Sequence, residues 1–86
     1  MHTVELLEEA IALAQQVDYE IRYEWLAGSG GGACELKGRK CIFLDLAVGP
    51  ADHLDVVLEA LRREAVCLNP SVSEPLRGLL QRRRAA

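Results

Sequence analysis

Three cysteines and one histidine, Cys34, Cys41, Cys67 and His53, carry most of the chemistry this chain could offer. Thiolate and neutral imidazole are the donors that zinc takes in small structural sites. The spacing argues against such a site, because no C-x₂-C or H-x₃-H pair is present to seed one. The N-terminus turns acidic at Glu5 and lacks the basic region of a signal peptide. Three thiols in that setting read as reduced, buried small hydrophobes. Cys34 and Cys41 are expected as diagonal neighbours on one hairpin face, too far apart for a relaxed disulfide. No cofactor is expected.

His53 stands beside Asp52 and Asp55, with Asp45 shortly before it, which are the ingredients of an acid–base cluster. No nucleophile accompanies them: Ser29 falls in a loop, and Ser71 and Ser73 at a helix start. The reading is a surface histidine among carboxylates, with no catalytic residue. Asp45 interrupts the most apolar run of the chain and is expected to cap the turn that follows. The glycines at 28 and 30–32 could cradle a phosphate, but no Lys-Ser/Thr follows and no helix begins there. They read as a connection between two strands.

The elements around these residues follow from periodicity. Thr3 to Val17 has apolar residues at helical spacing (Leu7, Ala10, Ile11, Ala14, Val17), with Thr3 as its cap and Glu8, Glu9, Gln15 and Gln16 facing water. Tyr19 to Leu26 alternates as a half-buried strand, Tyr19, Ile21, Tyr23 and Trp25 pointing inward. Residues 33–37 and 40–46 form a hairpin about a Gly38-Arg39 turn, which sets Leu36 opposite Cys41 and Cys34 opposite Phe43. The face bearing Cys34, Leu36, Cys41 and Phe43 is apolar throughout. The other, with Glu35, Ala33, Ile42 and Leu44, is charged near the turn and apolar away from it. Gly49, Pro50 and Asp52 open a second helix carrying Leu54, Val57, Leu58, Leu61 and Ala65. Ser73 caps a third, running to about Arg84.

With 86 residues the chain is one small domain, and it buries only about 60–65% of its unfolded surface. Half of it is hydrophobic and 5% aromatic, so the core rests on Leu, Val, Ile and Ala. No run approaches the roughly 18–20 apolar residues that span a bilayer, and the protein is expected to be cytoplasmic. A net charge of −3 gives no overall pull toward nucleic acid. The arginines at 82–84 read as a solvated helix end.

Gly31-Gly32-x-Cys34, Leu36-x-Gly38, the apolar strand ending in Asp45 and the helix containing Ala60-Leu61 resemble a family of short, uncharacterised bacterial proteins over most of the chain. That resemblance implies no activity. The order of elements is also remotely similar to the core of ImmA/IrrE-type zinc peptidases, whose last helix carries H-E-x-x-H. The comparable helix here reads Leu58-Glu59-Ala60-Leu61-Arg62-Arg63-Glu64, without either histidine, so the likeness implies a non-catalytic relative.

The expected fold is α+β: one helix, a three-stranded antiparallel meander and two C-terminal helices. The leading functional reading is a non-enzymatic protein-interaction module, with a homodimer as one form of it. Its interface is placed at Ala33, Ile42, Leu44 and Leu46, which a single layer of helices is expected to leave uncovered. The alternative is a small metal-binding or redox protein using Cys34, Cys41, Cys67 and His53.

Overall fold

The computed structural model of the protein describes residues 2–64 and 69–82. Its elements are α1 (Thr3–Gln16), β1 (Tyr19–Glu24), β2 (Gly31–Leu36), β3 (Arg39–Asp45), α2 (Pro50–Leu61) and α3 (Glu74–Gln81). The α+β class and the order of elements are those expected. The sheet is not a meander. Its strand order is β1-β3-β2, with β1 parallel and β2 antiparallel to β3. Apolar burial explains the difference. The run Ile42-Phe43-Leu44 is the most hydrophobic in the chain, and a strand with neighbours on both sides loses the most surface. A meander would have put the glycine-containing β2 in that central place.

The hairpin turns at Lys37 and Gly38, both at positive φ (50° and 79°), and not at Gly38-Arg39. Two central residues at positive φ make the mirror-image type I turn, whose twist matches its strands. Leu36 therefore opposes Arg39, Cys34 opposes Cys41 and Ala33 opposes Ile42. The pairing is slipped by two residues from the expected one. An even slip leaves every side chain on its own face, because strand side chains alternate with period two.

α1 and α2 lie side by side over one sheet face, α1 against β1 and α2 against β2 and β3. Leu7, Ala10, Leu13 and Ala14 of α1 meet Leu54, Val57, Leu58 and Leu61 of α2, and both stripes close over Tyr19, Ile42 and Leu44. The expected interface set is thereby redistributed. Ile42 and Leu44 are fully buried in this core, Ala33 packs against it, and only Leu46 is exposed. Two adjacent helices suffice to cover a sheet of three short strands.

The face expected to be apolar throughout is the one with no helix over it among the described residues. Cys34, Leu36, Cys41 and Phe43 share it with Glu20, Arg22 and Glu24 of β1. The Arg22 guanidinium lies 5.8 Å from the Phe43 ring centre and within 3.6 and 3.9 Å of Glu20 and Glu24. A cation over an aromatic face is attractive and screens the ring from water.

The helix ends agree in part with expectation. Gly49 precedes α2 and Pro50 opens it; Ser73 caps α3, accepting from the Leu76 N–H at 3.4 Å. His2, not Thr3, occupies the position before α1, without a side-chain cap. Glu9 does not face water only: it takes the Ser73 N–H at 2.8 Å and its hydroxyl at 2.6 Å, tying the start of α3 to α1. The second helix ends at Leu61. Ala65, Cys67, Arg83 and Arg84, to which the sequence reading gave roles, lie outside the described residues. No helix among the described residues is long and apolar enough to cross a membrane.

Candidate functional site

A sheet ordered β1-β3-β2 needs a crossing. β1 and β3 run parallel, so both end at the same edge of the molecule, and β2 starts there too, with Gly31 opposite Leu44. The connection from Glu24 to Gly31 must pass over the end of β3. Asp45 sits at that end. It is the one buried charged residue among the described residues, without exposed surface.

Its carboxylate holds the crossing chain. Oδ1 accepts the N–H groups of Leu26 at 3.0 Å and Ala47 at 2.8 Å; Oδ2 accepts those of Gly28 at 2.8 Å and Gly30 at 3.1 Å. Burial by itself would raise the carboxyl pKa. The four backbone donors, Ala47 foremost, outweigh it and hold the group below its ordinary value. The expected turn-capping role of Asp45 is the Ala47 bond; the other three bonds span the chain and had no local signal. Ala27, Gly28, Gly30 and Gly31 all have positive φ, the backbone shape that turns successive amides toward one anion. The glycine loop thus cradles an anion, and that anion is the protein's own carboxylate.

The same junction determines what His53 does. Its Nε2 donates to the Asp45 main-chain carbonyl at 2.6 Å, and its ring meets Tyr23 edge-on at 6.3 Å. The histidine faces a carbonyl and the carboxylate is spent on amides, so no acid–base pair forms between them. Tyr23 and Trp25, both expected inward, are 52% and 70% exposed; β1 ends at Glu24, before Trp25.

Cys34 and Cys41 face each other directly across the hairpin, and not on the diagonal. Cys34 is exposed and Cys41 is buried. Asp45 lies four positions along β3 from Cys41, about 13 Å, and His53 lies beyond that. Among the described residues no three His, Cys, Asp or Glu side chains come together as metal ligands. Cys67, the fourth member of the expected set, falls outside them.

The feature that sequence reasoning missed is a groove along β2. The two-residue turn makes Leu36 and Arg39 a hydrogen-bonded pair, so the alternate pair Cys34–Cys41 also exchanges ladder bonds. The residues between, Ala33 and Glu35, direct their N–H and C=O groups away from β3. No further strand borders that edge among the described residues. Beside it lies a groove of about 330 Å³, with Gly31, Gly32 and Ala33 as one wall and α2 as the other. Val56, partly buried, is its apolar centre, with the buried Ala60 beneath and Asp55, Glu59 and Arg63 at its sides. Arg63 also borders a smaller hollow of about 150 Å³ beside Cys34, Glu35 and Lys40. The signal was present in α2, where Val56 and Ala60 lie one turn apart, beside the main leucine stripe and next to two acids.

No protein-family model, no curated protein and no solved structure matches this chain.

Proposed function

We propose that the protein is a non-enzymatic interaction module that takes up an extended partner segment as a fourth strand on the free edge of β2. One observation carries this reading: a strand edge that no strand pairs among the described residues and a helix wall bound the same groove. An exposed edge is a template for another backbone, and main-chain hydrogen bonds supply affinity while side-chain pockets supply selectivity. The chemistry of the wall states the partner. A small apolar side chain suits Val56, a basic one suits Asp55 and Glu59, and an acidic one suits Arg63, just past the end of α2. The open sheet face is the weaker site, because Arg22 already covers Phe43 and is held there by two glutamates. The remote likeness to a peptidase core without its zinc-binding histidines accords with binding and not cleavage.

The test is selection from a displayed library of random extended peptides, followed by amide chemical-shift mapping. Selected peptides are expected to shift residues 31–35 and 55–63 and to lose binding in Ala33→Pro. That substitution removes an N–H pointing away from β3 and leaves the hairpin ladder intact. Peptides that map to the open sheet face, or that bind Ala33→Pro equally well, overturn the reading. So does a wild-type dimer that Ala33→Pro makes monomeric, which would assign the edge to a second copy of the chain.

A further inference from the structure

We propose that Cys34 and Cys41 form a reversible cross-strand disulfide by exchange with a low-molecular-weight disulfide. The inference stands on the hairpin alone and does not rest on the docking reading. The two residues are direct partners in the antiparallel ladder and share the open sheet face. A hydrogen-bonded antiparallel pair has Cα atoms about 5.5 Å apart, within the span a disulfide bridges. The Cβ atoms of such a pair start about 4.5–5.5 Å apart, and a bridge needs about 3.8 Å. Closing them by about 1 Å strains the bond, and strained disulfides are the readily reduced ones.

The two thiols differ in the way that exchange requires. Cys34 is exposed and can meet an incoming disulfide, while Cys41 is only 3% exposed. Cys41 Sγ lies 3.8 Å from the Arg39 carbonyl, on the same face of its own strand. The thiolate of Cys34 attacks one sulfur of the small disulfide, forming a mixed disulfide and releasing one small thiolate. Cys41 gives up its proton and its thiolate attacks the Cys34 sulfur; the protein disulfide forms and the second small thiol leaves. Two cysteines are oxidised and one small disulfide is reduced to two thiols, so the step balances. An excess of small thiol runs it backwards.

The experiment uses the full chain carrying Cys67→Ser, which removes the third thiol, equilibrated in mixtures of reduced and oxidised glutathione. Trypsin cuts between the two cysteines at Lys37, Arg39 and Lys40, so a bridge appears as two tryptic peptides joined until reduction. The expected result is the joined pair with no retained glutathione, fully reversed by excess reduced glutathione. Adding Cys41→Ser should arrest the protein as a mixed disulfide on Cys34. Adding Cys34→Ser should leave Cys41 roughly tenfold or more slower toward oxidised glutathione than Cys34 is. Circular dichroism on each variant confirms that the hairpin is folded. Glutathione held on Cys34 with both cysteines present, or two free thiols in the fully oxidised mixture, overturns the proposal.

Discussion

Two neighbouring stretches of backbone treat their amides in opposite ways. In the crossing loop, the N–H groups of Leu26, Gly28 and Gly30 all end on one buried carboxylate. A few residues later, in β2, the outward groups of Ala33 and Glu35 meet no strand among the described residues. The loop looks like a ligand cradle by composition and is internally satisfied. The edge looks like ordinary strand by composition and is open. Unsatisfied donors and acceptors, more than glycine content, mark where a backbone can bind something else.

That contrast orders the mutations. Asp45→Asn should do the most damage. It replaces one accepting oxygen with an NH₂ group that faces backbone donors, and a buried donor left unpaired costs more than the bond itself contributed. A Tm lower by roughly 20 °C, or loss of a cooperative transition, is the expected outcome in a thermal melt. An unchanged Tm would mean that the loop is held by something other than this carboxylate.

Gly31→Ala comes next. A Cβ at Gly31 would stand 2.0 Å from the Phe43 carbonyl oxygen, on a backbone at φ +88°. The contact is to backbone, so one strand must shift to relieve it, and a loss on the order of 3 kcal/mol is expected in urea unfolding. Gly32→Ala is the control: its Cβ would meet nothing within 4 Å. If the two variants unfold at the same urea concentration, the close passage of loop and β3 is wrong.

Acid sharpens the comparison. The Asp45 carboxyl titrates lower in the folded chain than its ordinary value near 4, so its stabilisation is complete above that pH. It is lost as the pH falls through the depressed folded value. The urea midpoint should therefore decline below about pH 4, and less steeply in Asp45→Asn, which has no carboxyl there to titrate. Equal slopes would remove Asp45 from the acid response.

The smallest effect is at the turn. Lys37 adopts φ 50°, where Asn or Gly rests more easily. Lys37→Asn should stabilise the fold by about 0.5–1 kcal/mol and leave peptide binding at the β2 edge unchanged. A destabilised variant would place a tertiary role on the lysine side chain.

Much of the fold was legible in local pattern. The helical spacing of Leu7, Ala10 and Ala14, the Pro50 start of α2 and the Ser73 cap are signals carried by residues a few positions apart. The hairpin was legible too, though its turn was displaced, because Lys37 gives no hint that it will take a left-handed conformation. The candidate site was less so. The direct opposition of Cys34 and Cys41 depended on that turn, and a two-residue slip changes partners without changing faces. The groove needed α2 to lie along β2, which no spacing within either element specifies.

What the sequence by itself determined is the set of elements and which residues share a side of each, because period 3.6 and period 2 are properties of short segments. Only the tertiary structure decided the strand order, and with it everything that concerns function. Burial of Ile42 and Leu44 favoured β3 at the centre, which sent the glycine loop across its end and left β2 at an edge beside α2. The buried Asp45 then became the peg for the crossing chain instead of a ligand. Strand order is a competition between long-range contacts, and no local stretch of chain records its result.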